Sequence, residues 1–285
     1  MKARIRIICA IFCALSLPAC SSASFFVANM PVHFSETKIY TDIAYGDKKS
    51  QKLDIYTPKI IEGPAPVIVF FYGGRWSFGN KEQYAFAALP FVKNGYIVVI
   101  PDYSKYPDVK FPNFVNDAAL AVSWVYDHVG EYNGNKQRLY LSGHSSGAHL
   151  AALVTADPVY LKKHGKDRSI ITAFSGLAGP YDFIPEDDDL KDMFGPPENY
   201  PNMQVPTFID GRQPPMQLLH GEDDQDVIQR NLNRLRDKIK DEGGVVETKI
   251  YTGINHKEIM GALSWLWHDK APLQNDMLDF FERHK

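Results

Sequence analysis

The chain has 285 residues, 45% of them hydrophobic and 23% charged, with 31 basic and 34 acidic side chains and a formal charge of −3. This is the composition of a globular protein with a sizeable core, and it excludes a collagen-like, low-complexity or disordered chain. The mildly acidic balance argues against nucleic acid as a partner, because phosphate backbones are held by a net basic surface.

The chain opens on a leader. Lys2, Arg4 and Arg6 make a basic start, Ile7 to Leu17 an apolar run, and Leu17-Pro18-Ala19-Cys20 a processing site. The run is shorter than the roughly 20 residues that span a bilayer as a helix, so residues 1–19 are expected to be a signal peptide. Small residues before Cys20 resemble the bacterial lipoprotein box, in which the cysteine is lipidated. The alternative is a conventional cut near Ala19 or Ala23. The expected organisation is a signal peptide at 1–19, a lipidated N-terminus and tether at 20–37, and one α/β domain at 38–285. Ser21 and Ser22 carry no inner-membrane retention signal, so the expected address is the outer membrane through a lipid anchor, otherwise the periplasm. All three cysteines, Cys9, Cys13 and Cys20, lie in the leader or at its cut, so the mature domain is expected without disulfides. Losing residues 1–19 removes three cations and no acid, taking the formal charge to −6.

Beyond the leader, strands are expected at Lys38 to Tyr45, Gln51 to Tyr56, Val67 to Tyr72, Ile97 to Pro101, Arg138 to Ser142, Ala173 to Leu177, Met216 to Leu219 and Val246 to Tyr251. Helices are expected near Glu82 to Asn94, Asn113 to Val129, Ser146 to Ala156, Gln225 to Lys240, Lys257 to Trp267 and Leu273 to His284. Strands alternating with helices predict a parallel sheet covered on both faces. A proline-rich stretch of about 180–215, carrying Glu186-Asp187-Asp188-Asp189, breaks this rhythm. It is expected to form a small cap, with Met193, Phe194, Tyr200 and Phe208 as candidate substrate-facing residues. The acids suit a solvated helix start.

Three strand ends carry chemistry. The third strand runs into Gly73-Gly74-Arg75-Trp76-Ser77-Phe78-Gly79, and paired glycines after a buried strand let backbone amides point at a developing oxyanion. The fifth ends in Gly143-His144-Ser145-Ser146-Gly147, a G-x-S-x-G pattern on a strand-to-helix turn that holds the Ser145 hydroxyl out above the sheet. The seventh ends among Glu222, Asp223, Asp224 and Asp226. Asp224 is the expected acid, with Asp223 and Asp226 as alternatives, at the rim where open α/β sheets build their sites. His256, His268 and His284 all follow the acid in sequence, but only His256 sits between a strand and a helix. The order serine, acid, histidine makes Ser145, Asp224 and His256 the candidate catalytic set.

Together with Pro101-Asp102-Tyr103, these motifs resemble the α/β-hydrolase fold. Within it, the chain from about Ile39 onward is similar to the carboxylesterases of the hormone-sensitive lipase and bacterial feruloyl-esterase-like group. The resemblance implies a mostly parallel eight-stranded sheet with a small cap insertion, and a serine esterase acting on a small-molecule ester. It makes Ser145 the nucleophile, His256 the base and Asp224 the orienting acid. Gly73, Gly74, Arg75 and Ser146 would form the oxyanion hole, and Asp102 would brace it. Tyr72 and Arg75 take the places of the histidine that usually precedes the glycine pair in that family and of the small residue or tyrosine that usually follows it. No metal or cofactor is implied. Two other readings are an arylformamidase-like amide hydrolase, against which Arg75 counts, and a silent surface lipoprotein used as a binding module.

Overall fold

A computed structural model describes residues 23–285 of the chain. The expected signal peptide and the candidate lipidation site Cys20 lie outside the described residues. Eight strands form one sheet: β1 (Thr37–Ala44), β2 (Lys52–Pro58), β3 (Ala65–Phe71), β4 (Ile97–Pro101), β5 (Gly134–His144), β6 (Ala173–Leu177), β7 (Met216–Gly221) and β8 (Val246–Tyr251). Their order is β1-β2-β4-β3-β5-β6-β7-β8. β2 runs antiparallel to β1 and β4, and all later pairings are parallel. Strands β4, β6 and β7 are buried at every position. They are buried on both faces because helices cover both sides of a parallel sheet; β4 is wholly apolar, while the buried Ser175 of β6 and Gln217 of β7 satisfy each other through a 2.7 Å hydrogen bond.

The covering elements are α1 (residues 23–34), α2 (Leu89–Val92), α3 (Asn113–His128), α4 (Ser146–Ala156), α5 (Pro158–Lys162), α6 (Asp188–Phe194), α7 (Arg230–Asp241), α8 (His256–Gly261) and α9 (Leu273–Arg283). Residues 23–34, expected within a tether, are thus helical, and Ala28 and Val32 join the core. Three helices depart from the sequence pattern for local reasons. The one expected over Glu82 to Asn94 is a 3₁₀ segment, Lys81–Ala87, followed by α2, whose start carries Pro90. α7 begins five residues later than expected, at Arg230, because the Asp224 side chain takes the amides of Asp226 and Val227 and holds that stretch as a turn. α8 stops at Gly261 rather than Trp267. There the chain folds back so closely that a Cβ on Gly261 would lie 2.1 Å from the Trp267 ring.

Candidate active site

Ser145 is the single residue between β5 and α4, with φ 55° and ψ −126°. A side chain in that region costs about 1–3 kcal/mol and persists only where its surroundings enforce it. Enforcement comes from close packing on both sides. A Cβ on Gly147 would sit 2.1 Å from the Phe71 carbonyl oxygen, so only glycine lets α4 start this near β3. On the other side the Ser145 amide donates to the Leu177 carbonyl at 2.9 Å.

His256 is the first residue of α8, set there by a capping box. Asn255 accepts from the Lys257 and Glu258 amides, while the Glu258 carboxylate accepts from the Asn255 amide. From this position His256 Nε2 lies 2.9 Å from Ser145 Oγ and Nδ1 lies 2.7 Å from Asp224 Oδ2. A carboxylate only accepts, so Nδ1 carries the hydrogen and the Nε2 lone pair faces the serine hydroxyl.

Geometry also separates the acids that sequence left open. Asp224 is buried, whereas Asp223 and Asp226 are exposed. Its other oxygen accepts from the amides of Asp226 at 2.9 Å and Val227 at 2.8 Å. Burial pushes the Asp224 carboxyl up, but the His256 and Val227 hydrogen bonds and the charge of His256 outweigh it and hold the group below its ordinary value. His268 and His284 lie elsewhere, beside the Trp265 carbonyl and the Phe280 ring.

The glycine turn stands against the serine. A Cβ on Gly73 would lie 3.0 Å from that of Ser145. Gly74 has φ 140°, and a Cβ there would strike the Phe78 carbonyl oxygen at 2.3 Å. Arg75 and Trp76 also have positive φ, 53° and 56°, and the Ser77 and Phe78 amides close the turn onto the Gly74 carbonyl at 2.9 and 2.8 Å. No acceptor among the described residues takes the Gly74 or Arg75 amide. Ser146, in the first turn of α4, adds an amide without an intrahelical partner. Asp102 braces the turn: one carboxylate oxygen accepts from the Tyr72 hydroxyl and from the Lys81 amide, the latter at 3.0 Å. Tyr84 and Tyr103 stack on Tyr72 and donate to the Gly73 and Tyr72 carbonyls.

Sequence reasoning missed two contacts here. His144 is buried, its ring centroid 4.7 Å from that of His256, and its Nε2 lies 2.9 Å from the His256 carbonyl oxygen. Burial, with the nearby charge of His256, drops its pKa to about 3, so it serves as a neutral donor. Arg75 pairs with Asp187 and Asp189 at the start of α6, tying the glycine turn to the cap. The only signal for either was a polar residue inside a motif that the motif's own chemistry did not use. Among the candidate substrate-facing residues, Met193 and Phe194 are buried and Tyr200 and Phe208 are half-buried. Trp76 is part of the core, stacked on Phe183 and edge-on to Phe194.

Asp224, Asp226 and His256 each place a ligand-type atom within 4.8 Å of the others, the single such group found among the described residues. Asp224 and His256 already bond to each other through Oδ2 and Nδ1. The array can therefore shuttle a proton between the serine hydroxyl and Nε2 while the acid fixes the imidazole.

The BD-FAE family model matches residues 53–239, a span that holds the glycine turn, Ser145 and Asp224 and ends before His256. The chain belongs to the BD-FAE family. Among curated proteins, this BD-FAE chain is similar to a probable isoprenylcysteine alpha-carbonyl methylesterase of Arabidopsis thaliana, 29% identical over 252 residues, covering 80% of this chain and 52% of that protein. A kynurenine formamidase of Danio rerio is 37% identical over 120 residues, 42% of this chain and 40% of that one. The chain thus spans about half the length, or less, of these two relatives. Among solved structures, a truncated carbohydrate esterase from gut microbiota aligns with TM-score 0.76 at 21% identity, over 87% of this chain and 96% of that one. That likeness is one of fold, and with the mostly parallel eight-stranded sheet it gives this BD-FAE chain the α/β-hydrolase fold.

Proposed function

We propose that the chain is a serine carboxylesterase that cleaves small-molecule esters through an acyl-enzyme on Ser145. The observation that carries this reading is the run of bonds from Asp224 Oδ2 to His256 Nδ1 and from His256 Nε2 to Ser145 Oγ, at 2.7 and 2.9 Å, ending on a strained turn. His256 takes the hydroxyl proton as Oγ attacks the ester carbonyl and returns it to the leaving alkoxide; water then releases the acyl group by the same route. Asp224 holds the tautomer. Amides of the Gly73, Gly74 and Arg75 turn and of Ser146 meet the oxyanion, each donor typically worth about 10²–10³ in kcat. Small or medium esters, including acetyl or feruloyl groups on carbohydrate, are the proposed substrates, and Cys20 is the proposed lipid anchor of the exported chain.

An amide reading draws support from the formamidase relative. The deciding experiment compares p-nitrophenyl esters of increasing chain length with N-formylkynurenine, alongside a fluorophosphonate probe. Ester turnover should dominate, with the probe on Ser145, and Ser145→Ala should lose both activity and labelling while staying folded. Labelling of Ser142 or Ser146 overturns the assignment, and a preference for the formamide selects the second reading.

A further inference from the structure

We propose that an apolar face formed by α1 and the segment after α8 docks on a lipid bilayer, setting the rim of the active site against the headgroup layer. Neither residues 23–34 nor residues 259–267 contain an Asp, Glu, Lys or Arg, and His33, exposed on the side of α1 that carries Phe26 and Met30, is the one titratable side chain of the two segments. The two segments lie side by side, with Trp265 Nε1 donating to the Val27 carbonyl at 3.1 Å. α1 buries Ala28 and Val32, yet its outward side is apolar as well. Phe26 is 70% exposed and Met30 42%, at the spacing that puts them on one face; Trp265, bonded to α1, and the next two residues, Leu266 and Trp267, are 51%, 40% and 41% exposed, with the Lys270 ammonium 5.7 Å from the Trp267 ring. A helix that is apolar on both sides has a second apolar neighbour. Paired exposed tryptophans suit a bilayer interface, where an amphipathic ring has one end in hydrocarbon and one in water.

What covers this face follows from where α1 begins. Only Ser21 and Ser22 separate residue 23 from Cys20. At about 3.3–3.6 Å per residue, lipids on Cys20 reach no further than roughly 10 Å from α1, so the helix starts at the membrane surface. This step alone rests on the proposed lipidation.

The face is also joined to the site. Asn29 holds α1 to the 3₁₀ segment that follows the glycine turn, bonding the Glu82 and Gln83 carbonyls at 3.1 and 3.0 Å and the Phe86 amide at 2.7 Å. Trp265 lies a few residues beyond α8, whose first residue is His256. Other exposed apolar side chains follow the strand ends that carry the site: Phe78 after β3, Ile184 after β6 and Ile228 after β7.

The test is to reconstitute the full-length protein into vesicles of phosphatidylethanolamine and phosphatidylglycerol with brominated acyl chains and to read tryptophan quenching. Four tryptophans are present, and Trp76 is buried. Quenching of the wild type is expected, most of it lost in Trp265→Phe/Trp267→Phe, which keeps the face apolar. Phe26→Asp/Met30→Asp should cut quenching several-fold while fluorophosphonate labelling shows the fold and site intact. Cys20→Ser separates the two proposals: attachment falls if the lipid dominates, while the bound fraction stays quenched if the face docks. Attached but unquenched wild type overturns the proposal, because the face then stands off the bilayer or is covered by the leader or by a second copy; failure of the wild type to attach overturns it as well.

Discussion

At Asp224 one side chain performs two tasks that its neighbours in the same acidic run cannot. Its Oδ1 gathers two loop amides and its Oδ2 meets His256 Nδ1, so the bonds that shape the loop also aim the acid. Asp224→Asn keeps the size but presents an amide that either donates toward Nδ1 or leaves it with the wrong tautomer. Kinetics on a p-nitrophenyl ester should show kcat lowered by about 10⁴, the scale known for this exchange in a triad. Asp223→Asn and Asp226→Asn, both exposed, should stay within a few-fold of wild type. A severe Asp223 variant would contradict the geometry. The serine turn was legible in the sequence because such turns need glycines at fixed offsets, and chain order pointed to His256, whereas Asp223, Asp224 and Asp226 stood level until the fold set only Asp224 against His256. His144 was not legible. A histidine inside a motif looks the same whether it faces solvent or donates to the base's own carbonyl, and only the fold brings residues 144 and 256 together.

Between elements, the question is what holds the cap to the glycine turn. Arg75 reaches Asp187 and Asp189, but the guanidinium is 43% exposed, and exposed pairs contribute about 0–1 kcal/mol. Trp76, the next residue, is buried among Phe183, Phe194, Phe114 and His149. Truncating a buried aromatic residue typically costs about 3–5 kcal/mol. Urea unfolding should therefore show Trp76→Ala far more destabilised than Arg75→Ala. Activity should follow the same order, since Arg75→Ala keeps its amide while Trp76→Ala loosens the turn that presents it. A larger loss in Arg75→Ala on a neutral ester would mean that the guanidinium itself touches substrate. The strands were readable because buried parallel strands are short, mostly apolar runs bounded by turn residues, even where β6 and β7 carry Ser175, Gln217 and His220. The cap was not readable beyond its existence, since short 3₁₀ pieces such as Pro197–Asn202 and Val205–Phe208 have too few residues for a period to show, and their placement depends on the aromatic cluster beneath them.

The whole molecule carries a pH dependence that no single element reveals. His149 is fully buried on α4, with its Nε2 2.7 Å from the Met203 carbonyl and its ring beside those of Trp76 and Phe183. Burial lowers its pKa to about 4, and that of His144 to about 3, while an unfolded chain returns both to about 6.5. Between those values the unfolded state binds more protons, so their contribution is whole above about pH 6.5 and shrinks as the pH falls. Each group then loses about 1.4 kcal/mol per pH unit, or about 2 kcal/mol apiece by pH 5. Against a usual total of about 5–15 kcal/mol, that is a large fraction. Asp224, held below its ordinary value, loses its share only at more acid pH, and Asp102, pushed up by burial, acts in the opposite sense. His149→Gln isolates one contribution: the amide can still donate to Met203 but does not titrate. The variant should be less stable than wild type at pH 7.5 through imperfect packing, and its unfolding free energy should fall less steeply between pH 6.5 and 5, by about 2 kcal/mol over that range. Parallel curves for the two proteins would show that His149 does not titrate on unfolding, and would leave the acid sensitivity to other groups.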